Sequence, residues 1–131
     1  MLDTNVVSAL MRDPQGPIAG RIAALDEPAS ISLIVAAELR YGAERRRSVR
    51  LTSVLEQVLG VLEIEPLVPP LERVHARLRL WTEAAGRPMG ANDLWIAAHA
   101  LLLDRTLITR DAAFSRVAGL EVADWLEPDS A

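Results

Sequence analysis

The sequence contains no lysine: all fourteen of its basic residues are arginine. A chain without lysine supplies neither a P-loop lysine, nor a Schiff base, nor the lysine that some enzymes set beside an aspartyl nucleophile, and those chemistries leave the field. Cysteine is absent as well, which excludes disulfides and thiolate metal sites. Long hydrophobic runs are missing. The longest, Leu94 to Leu103, is too short to span a bilayer and carries His99, and the first residues lack the basic-then-apolar layout of a secretory signal. No membrane partner is therefore expected, and a cytoplasmic location is the default. An excess of positive charge is also lacking. The net charge of -4 argues against binding nucleic acid through bulk attraction and leaves that task to a local basic patch or to bound cations. No repeat, low-complexity tract or interdomain linker is visible.

What is present reads as one globular domain over residues 1–131, with a polar tail from about 127 to 131; half of the residues are apolar and 24% are charged. A very short strand ends at Asp3 and a helix follows at once. After a turn over 12–17 and a short helix over 18–25, residues 28–34 alternate as a strand that runs into a helix from about Val35. That helix ends in Arg40, Glu44, Arg45, Arg46 and Arg47, with Arg50 just beyond, and helix resumes over 52–59. A strand over 61–64 and a helix from Pro70 to about Ala85 come next, the latter with Leu71, Val74, Leu78 and Trp81 on one stripe. The break at 86–90 leads into the helix of MGANDLWIAAHALLL, residues 89–103. A strand at 106–109, a turn at 112–116 and a last short strand within 119–126 close the pattern. Alternating strands and helices imply an α/β fold with a mainly parallel sheet covered on both faces.

Four acids stand out against this frame. Asp93 opens a helix whose stripe below it, Ile96, Ala97, Ala100 and Leu101, is apolar. Taken alone it is a first-turn carboxylate behind an Asn92 N-cap, contributing under about 1 kcal/mol. Asp3 and Asp111 likewise read individually as caps. Glu38 has no such explanation, because it falls inside a helix beside Ile34, Tyr41, Ala37 and Gly42, and a buried unpaired carboxylate is costly. In parallel sheets, the residues just past the carboxyl ends of strands converge on one crevice. Asp3, Glu38, Asp93 and Asp111 can all reach it. Carboxylates gathered in this way repel one another, and an all-oxygen donor set favours Mg²⁺ or Mn²⁺ over Zn²⁺ as the compensating charge. Such ions also orient and activate water against a phosphodiester. His75 and His99 have no ligand spacing around them and read as structural. The arginine run is a solvated helix end, a phosphate-holding patch, or both.

The segments Leu2-Asp3-Thr4-Asn5, Ala37 to Gly42, Gly90-Ala91-Asn92-Asp93 with Ile96-Ala97-Ala98, and Leu107 to Asp111 with Phe114, Gly119-Leu120 and Trp125 together resemble a PIN-domain ribonuclease. More narrowly, they resemble the VapC-type toxins of bacterial toxin-antitoxin pairs. The similarity runs from residue 2 to about 126. It implies a three-layer α/β/α fold, cleavage of RNA dependent on Mg²⁺ or Mn²⁺, a homodimer, and inhibition by a cognate antitoxin that itself carries the contact with operator DNA. Carried onto this chain, it makes Asp3, Glu38, Asp93 and Asp111 the acidic metal site, with Asn5, Thr109 and Asn92 supporting it by hydrogen bonding. Arg40 and the run Arg45, Arg46, Arg47 and Arg50 are the expected contacts to RNA phosphates. Two other readings compete: a PIN-like module that has lost activity and only binds a small protein, and a PIN-like nuclease acting on structured DNA.

Overall fold

The computed structural model describes residues 1–126, so the tail expected at 127–131 lies outside the described residues. Four short strands are present among them: β1 (Ser30–Ser32), β2 (Glu63–Glu65), β3 (Leu107–Ile108) and β4 (Val122–Ala123). β1 pairs parallel with β2, and β3 pairs parallel with β4. The two pairs are joined by the first residues of the chain. Leu2 donates its N–H to the Ser30 carbonyl at 2.8 Å and forms a parallel bridge to Ile108, while Asp3 N–H reaches the Ile108 carbonyl at 2.8 Å. The order across the sheet is thus β2, β1, residues 1–3, β3, β4, with the β1–β2, Leu2–Ile108 and β3–β4 pairings parallel.

A parallel sheet is stable only with both faces covered. The side chains at its centre comply, for Leu2, Ile31 and Leu107 are at most 1% exposed. The covering helices are α1 (Thr4–Arg12), α2 (Pro17–Ala23), α3 (Leu33–Arg46), α4 (Val49–Leu59), α5 (Leu71–Ala84) and α6 (Ala91–Leu102), followed by a 3₁₀ turn at Ala112–Arg116. α6 is buried nearly all round from Leu94 to Ala100, which is why its sequence is apolar on every side and not along one stripe. The Arg105 guanidinium, just past α6, donates at 2.7 Å to both Ser30 Oγ and Glu65 Oε1, tying that helix exit to β1 and β2.

Three local expectations change. The arginine run does not end one helix: Arg47 adopts the left-handed region at φ 49° and closes α3. Ser48 Oγ then accepts from Leu51 N–H and caps α4, so Arg50 falls in the next helix. On α5, Trp81 is 43% exposed and the buried place one residue on belongs to Thr82, whose hydroxyl returns to the Arg79 carbonyl and so hides its polarity. α6 begins from Gly90 without a side-chain cap, which places Asn92 and Asp93 inside the first turn.

Candidate active site

The chain leaves the sheet centre at Asp3 in an extended conformation and turns directly into α1. Asp3 Oδ1 accepts from Thr4 N–H at 2.8 Å and Oδ2 from the Thr109 hydroxyl at 2.7 Å. The aspartate is only 5% exposed. Burial pushes its carboxyl above the ordinary range; the bonds from Thr109 and Thr4 oppose that push, and the charges of Glu38 and Asp111 add to it. Capping a helix and belonging to a cluster of acids are therefore not rival roles for Asp3. The cap is what fixes the carboxylate.

Thr109 follows β3 directly, and its hydroxyl serves two acids. Besides donating to Asp3, Thr109 Oγ accepts from Asp111 N–H at 3.0 Å. Asp111 in turn caps the 3₁₀ turn, its Oδ1 accepting from Ala113 N–H at 2.9 Å. Glu38 comes from the second turn of α3, half-buried, and its Oε1 accepts the Thr4 hydroxyl at 2.7 Å. Thr4 was not singled out from the sequence as a positioning residue. The available signal was a hydroxyl residue at the head of a helix that starts beside an acid.

Asp93 completes the group from the first turn of α6 and accepts no hydrogen bond among the described residues. Its carboxyl is pushed up to about 6, first by burial and then by the charges of Asp3, Asp111 and Glu38. That list of causes is physical evidence of convergence: the four acids lie in one electrostatic field, as the strand ends require. Among the described residues they do not close three at a time into a ready coordination shell. The donor set is all oxygen, joined by threonine hydroxyls.

The supporting positions divide. Asn5 Oδ1 accepts from Arg110 N–H at 3.4 Å, a long contact that links α1 to the loop after β3. Asn92 is exposed and makes no side-chain hydrogen bond among the described residues. Of the arginines, Arg40 is held in an exposed ion pair with Glu56 across α3 and α4. Arg46 and Arg50 line a groove of about 550 Å³ with Arg12, Ser8, Thr4 and Glu38, so of the four acids this basic edge meets Glu38. Arg45 and Arg47 are exposed and lie outside the groove lining. His99 is buried and shares a 2.8 Å hydrogen bond through Nδ1 with Ser32 Oγ; His75 stacks on Trp95 with ring centroids 3.7 Å apart. Both imidazoles are held below their ordinary pKa, chiefly by burial, as structural histidines are.

Residues 1–120 match the PIN domain family. Ribonuclease VapC1 of Haemophilus influenzae (strain R2866) is 36% identical over 135 residues, spanning 95% of this chain and 96% of that protein. Among solved structures, VapBC2 from Rickettsia felis, bound to a DNA fragment from its promoter, superposes with a TM-score of 0.90 at 30% identity over 95% of this chain and 97% of the other. VapBC-5 from Mycobacterium tuberculosis, of the VapBC family of toxin-antitoxin systems, gives 0.67 at 30% identity over 94% and 95%. These similarities run the length of the chain and rest on no single motif, and the crevice of acids lies where the parallel sheet predicts it: the chain belongs to the PIN domain family, alongside the VapC ribonucleases.

Proposed function

We propose that this protein is an endoribonuclease and the toxin of a toxin-antitoxin pair, hydrolysing RNA phosphodiester bonds at Asp3, Glu38, Asp93 and Asp111 with Mg²⁺ or Mn²⁺. The observation that carries the reading is the field at Asp93, raised to about 6 by its burial and by the other three acids. An all-oxygen cluster that raises the pKa of its own member fits a hard divalent cation, whose charge relieves the repulsion. When bound, such an ion polarises water and neutralises charge on the phosphodiester. The chain's own residues do the positioning. Thr4 and Thr109 hold Glu38 and Asp3 in fixed rotamers, and the Asp111 backbone is held by the same Thr109 hydroxyl. Both oxygens of Asp93, Asp111 Oδ2 and Glu38 Oε2, which accept no hydrogen bond among the described residues, are the oxygens left to meet ligand, and Asp93, with its raised carboxyl, is the one suited to take a proton. Arg46 and Arg50 supply cationic contacts for a phosphate backbone along the adjoining groove.

The relatives' toxin-antitoxin names support a cognate antitoxin as protein partner; a homodimer as working form, contact with operator DNA only through that antitoxin, and action in the cytoplasm are further parts of this proposal and rest on the family resemblance alone. The test is cleavage of total cellular RNA by the antitoxin-free protein in Mn²⁺, Mg²⁺ and chelator, with Asp93→Asn prepared in parallel. Metal-dependent cuts made by the wild type and lost in the variant, which keeps its fold, are expected. Identical traces from both proteins would overturn the nuclease reading. A second reading, an inert partner-binding module, draws on the absence of a ready three-ligand shell among the described residues. Melting with and without Mn²⁺ separates the two, since an ion bound only by the native state raises Tm and a module without the site is unmoved.

A further inference from the structure

A second cavity, with no lining residue in common with the first, has Asp93 in its wall. It measures about 670 Å³, within the range of small-molecule sites, and lies between the end of α5, the 86–90 loop and the 3₁₀ turn; Trp81, Arg87, Met89, Asp93 and Arg116 contribute to its walls. The acids of the candidate active site reach it only through Asp93. Its two guanidiniums are exposed, and neither pairs with a carboxylate among the described residues, unlike Arg40, Arg79 and Arg105.

Both arginines stand on fixed backbone. α5 ends in a Schellman turn in which Gly86, at φ 70°, sends its N–H to the Glu83 carbonyl at 3.0 Å, and Arg87 sends its own to the Thr82 carbonyl at 2.9 Å. Arg116 closes the 3₁₀ turn that Asp111 caps, so a member of the acid cluster sets its position. Trp81, one turn before the Schellman turn, was expected in the core and instead is 43% exposed beside this cavity. An indole with two unpaired guanidiniums, next to a carboxylate at which phosphodiester chemistry is proposed, is a set of groups suited to one nucleotide. The aromatic face takes a base, and planar guanidiniums take phosphate oxygens.

We infer that the cavity between α5 and the 3₁₀ turn holds the nucleotide on one flank of the scissile phosphate, its base on Trp81 and its phosphate between Arg87 and Arg116. This rests on the ribonuclease reading. It assigns sequence preference next to the cut to Trp81 and backbone grip to the two arginines, which are distinct from Arg46 and Arg50 of the other groove.

The test uses the full chain with short single-stranded oligoribonucleotides that contain a mapped cleavage site, each flanking base in turn replaced by an abasic unit. Trp81→Ala, Arg87→Ala and Arg116→Ala are compared with wild type, and Arg77→Ala, on α5 and outside the cavity lining, is the control. Arg87→Ala and Arg116→Ala are expected to raise KM about tenfold with a smaller change in kcat, and each to flatten the salt dependence of binding to an uncleavable 2′-O-methyl RNA by about one counterion. Arg116→Lys should recover part of the loss. Removing the base at one flanking position should weaken wild type about tenfold and leave Trp81→Ala indifferent at that position alone. Arginine variants with wild-type KM and salt slope, or a Trp81→Ala enzyme that still responds to the missing base, would overturn the assignment while leaving the nuclease intact. A wild type that cuts no RNA in Mn²⁺ overturns the ribonuclease reading and this inference together.

Discussion

Thr109 concentrates more of the site in one atom than any acid does. Its hydroxyl donates to buried Asp3 and accepts from Asp111 N–H, so Thr109→Val leaves a carboxylate short of a donor and an N–H short of an acceptor. The expected outcome is a loss of about 2 kcal/mol in stability, read as a lowered denaturant midpoint, with kcat down about tenfold or more; Thr109→Ser should recover most of both. Asp93 makes a prediction of the opposite sign. Its native pKa of about 6 exceeds the ordinary 3.8, so in the absence of divalent ions the folded state holds the proton more tightly than the unfolded chain. That stabilisation is complete below the lower value and is lost as pH rises through the upper one. Metal-free Asp93→Asn should therefore melt above wild type at neutral pH, by about 1 kcal/mol after allowance for solvent screening of a half-exposed carboxyl, with the gap closing as pH falls toward 4. At this scale the sequence displayed the acids, because a carboxylate inside an apolar helix or at the mouth of a strand is conspicuous. It concealed Thr4, an ordinary residue until α3 brings Glu38 within reach of its hydroxyl, and Thr109 was marked as support only through the family resemblance, its two partners coming from distant stretches of the chain.

Elements whose patterns are dictated by burial were legible. α6 is apolar on every side because it is enclosed on every side, and Ser30 to Ser32 is short because it only crosses the sheet. Boundaries set by backbone conformation were not. Nothing in four clustered arginines announces that Arg47 takes the left-handed region and splits α3 from α4, because that conformation favours glycine and Arg47 adopts it against its preference. Trp81 misled for a related reason: helical periodicity places it on the apolar stripe, but Thr82 satisfies its own hydroxyl within the helix and takes the buried place. The end of α5 was announced by glycine, and here conformation and sequence agree. A Gly86→Ala variant must adopt φ near 70° with a Cβ, and is expected to lose about 1 kcal/mol of stability, measurable as a lower Tm. Since nothing lies within 4 Å of a Cβ built there, the loss is conformational and not steric.

On the scale of the whole molecule, charge is arranged by compensation. An acidic chain with net charge -4 sets arginines beside its acids in two separate cavities, Arg46 and Arg50 with Glu38 in one and Arg87 and Arg116 with Asp93 in the other. The class of fold followed from alternation of strands and helices, yet the central place of the short first strand did not, because a stretch as short as Met1 to Asp3 carries almost no pattern. Its place is nonetheless decisive. Asp3 begins the chain's work and Thr109, its hydroxyl donor, lies 106 residues further along. A fragment that stops before β3 therefore has neither the hydroxyl that holds Asp3 nor Asp111 itself, and with them it loses the crevice.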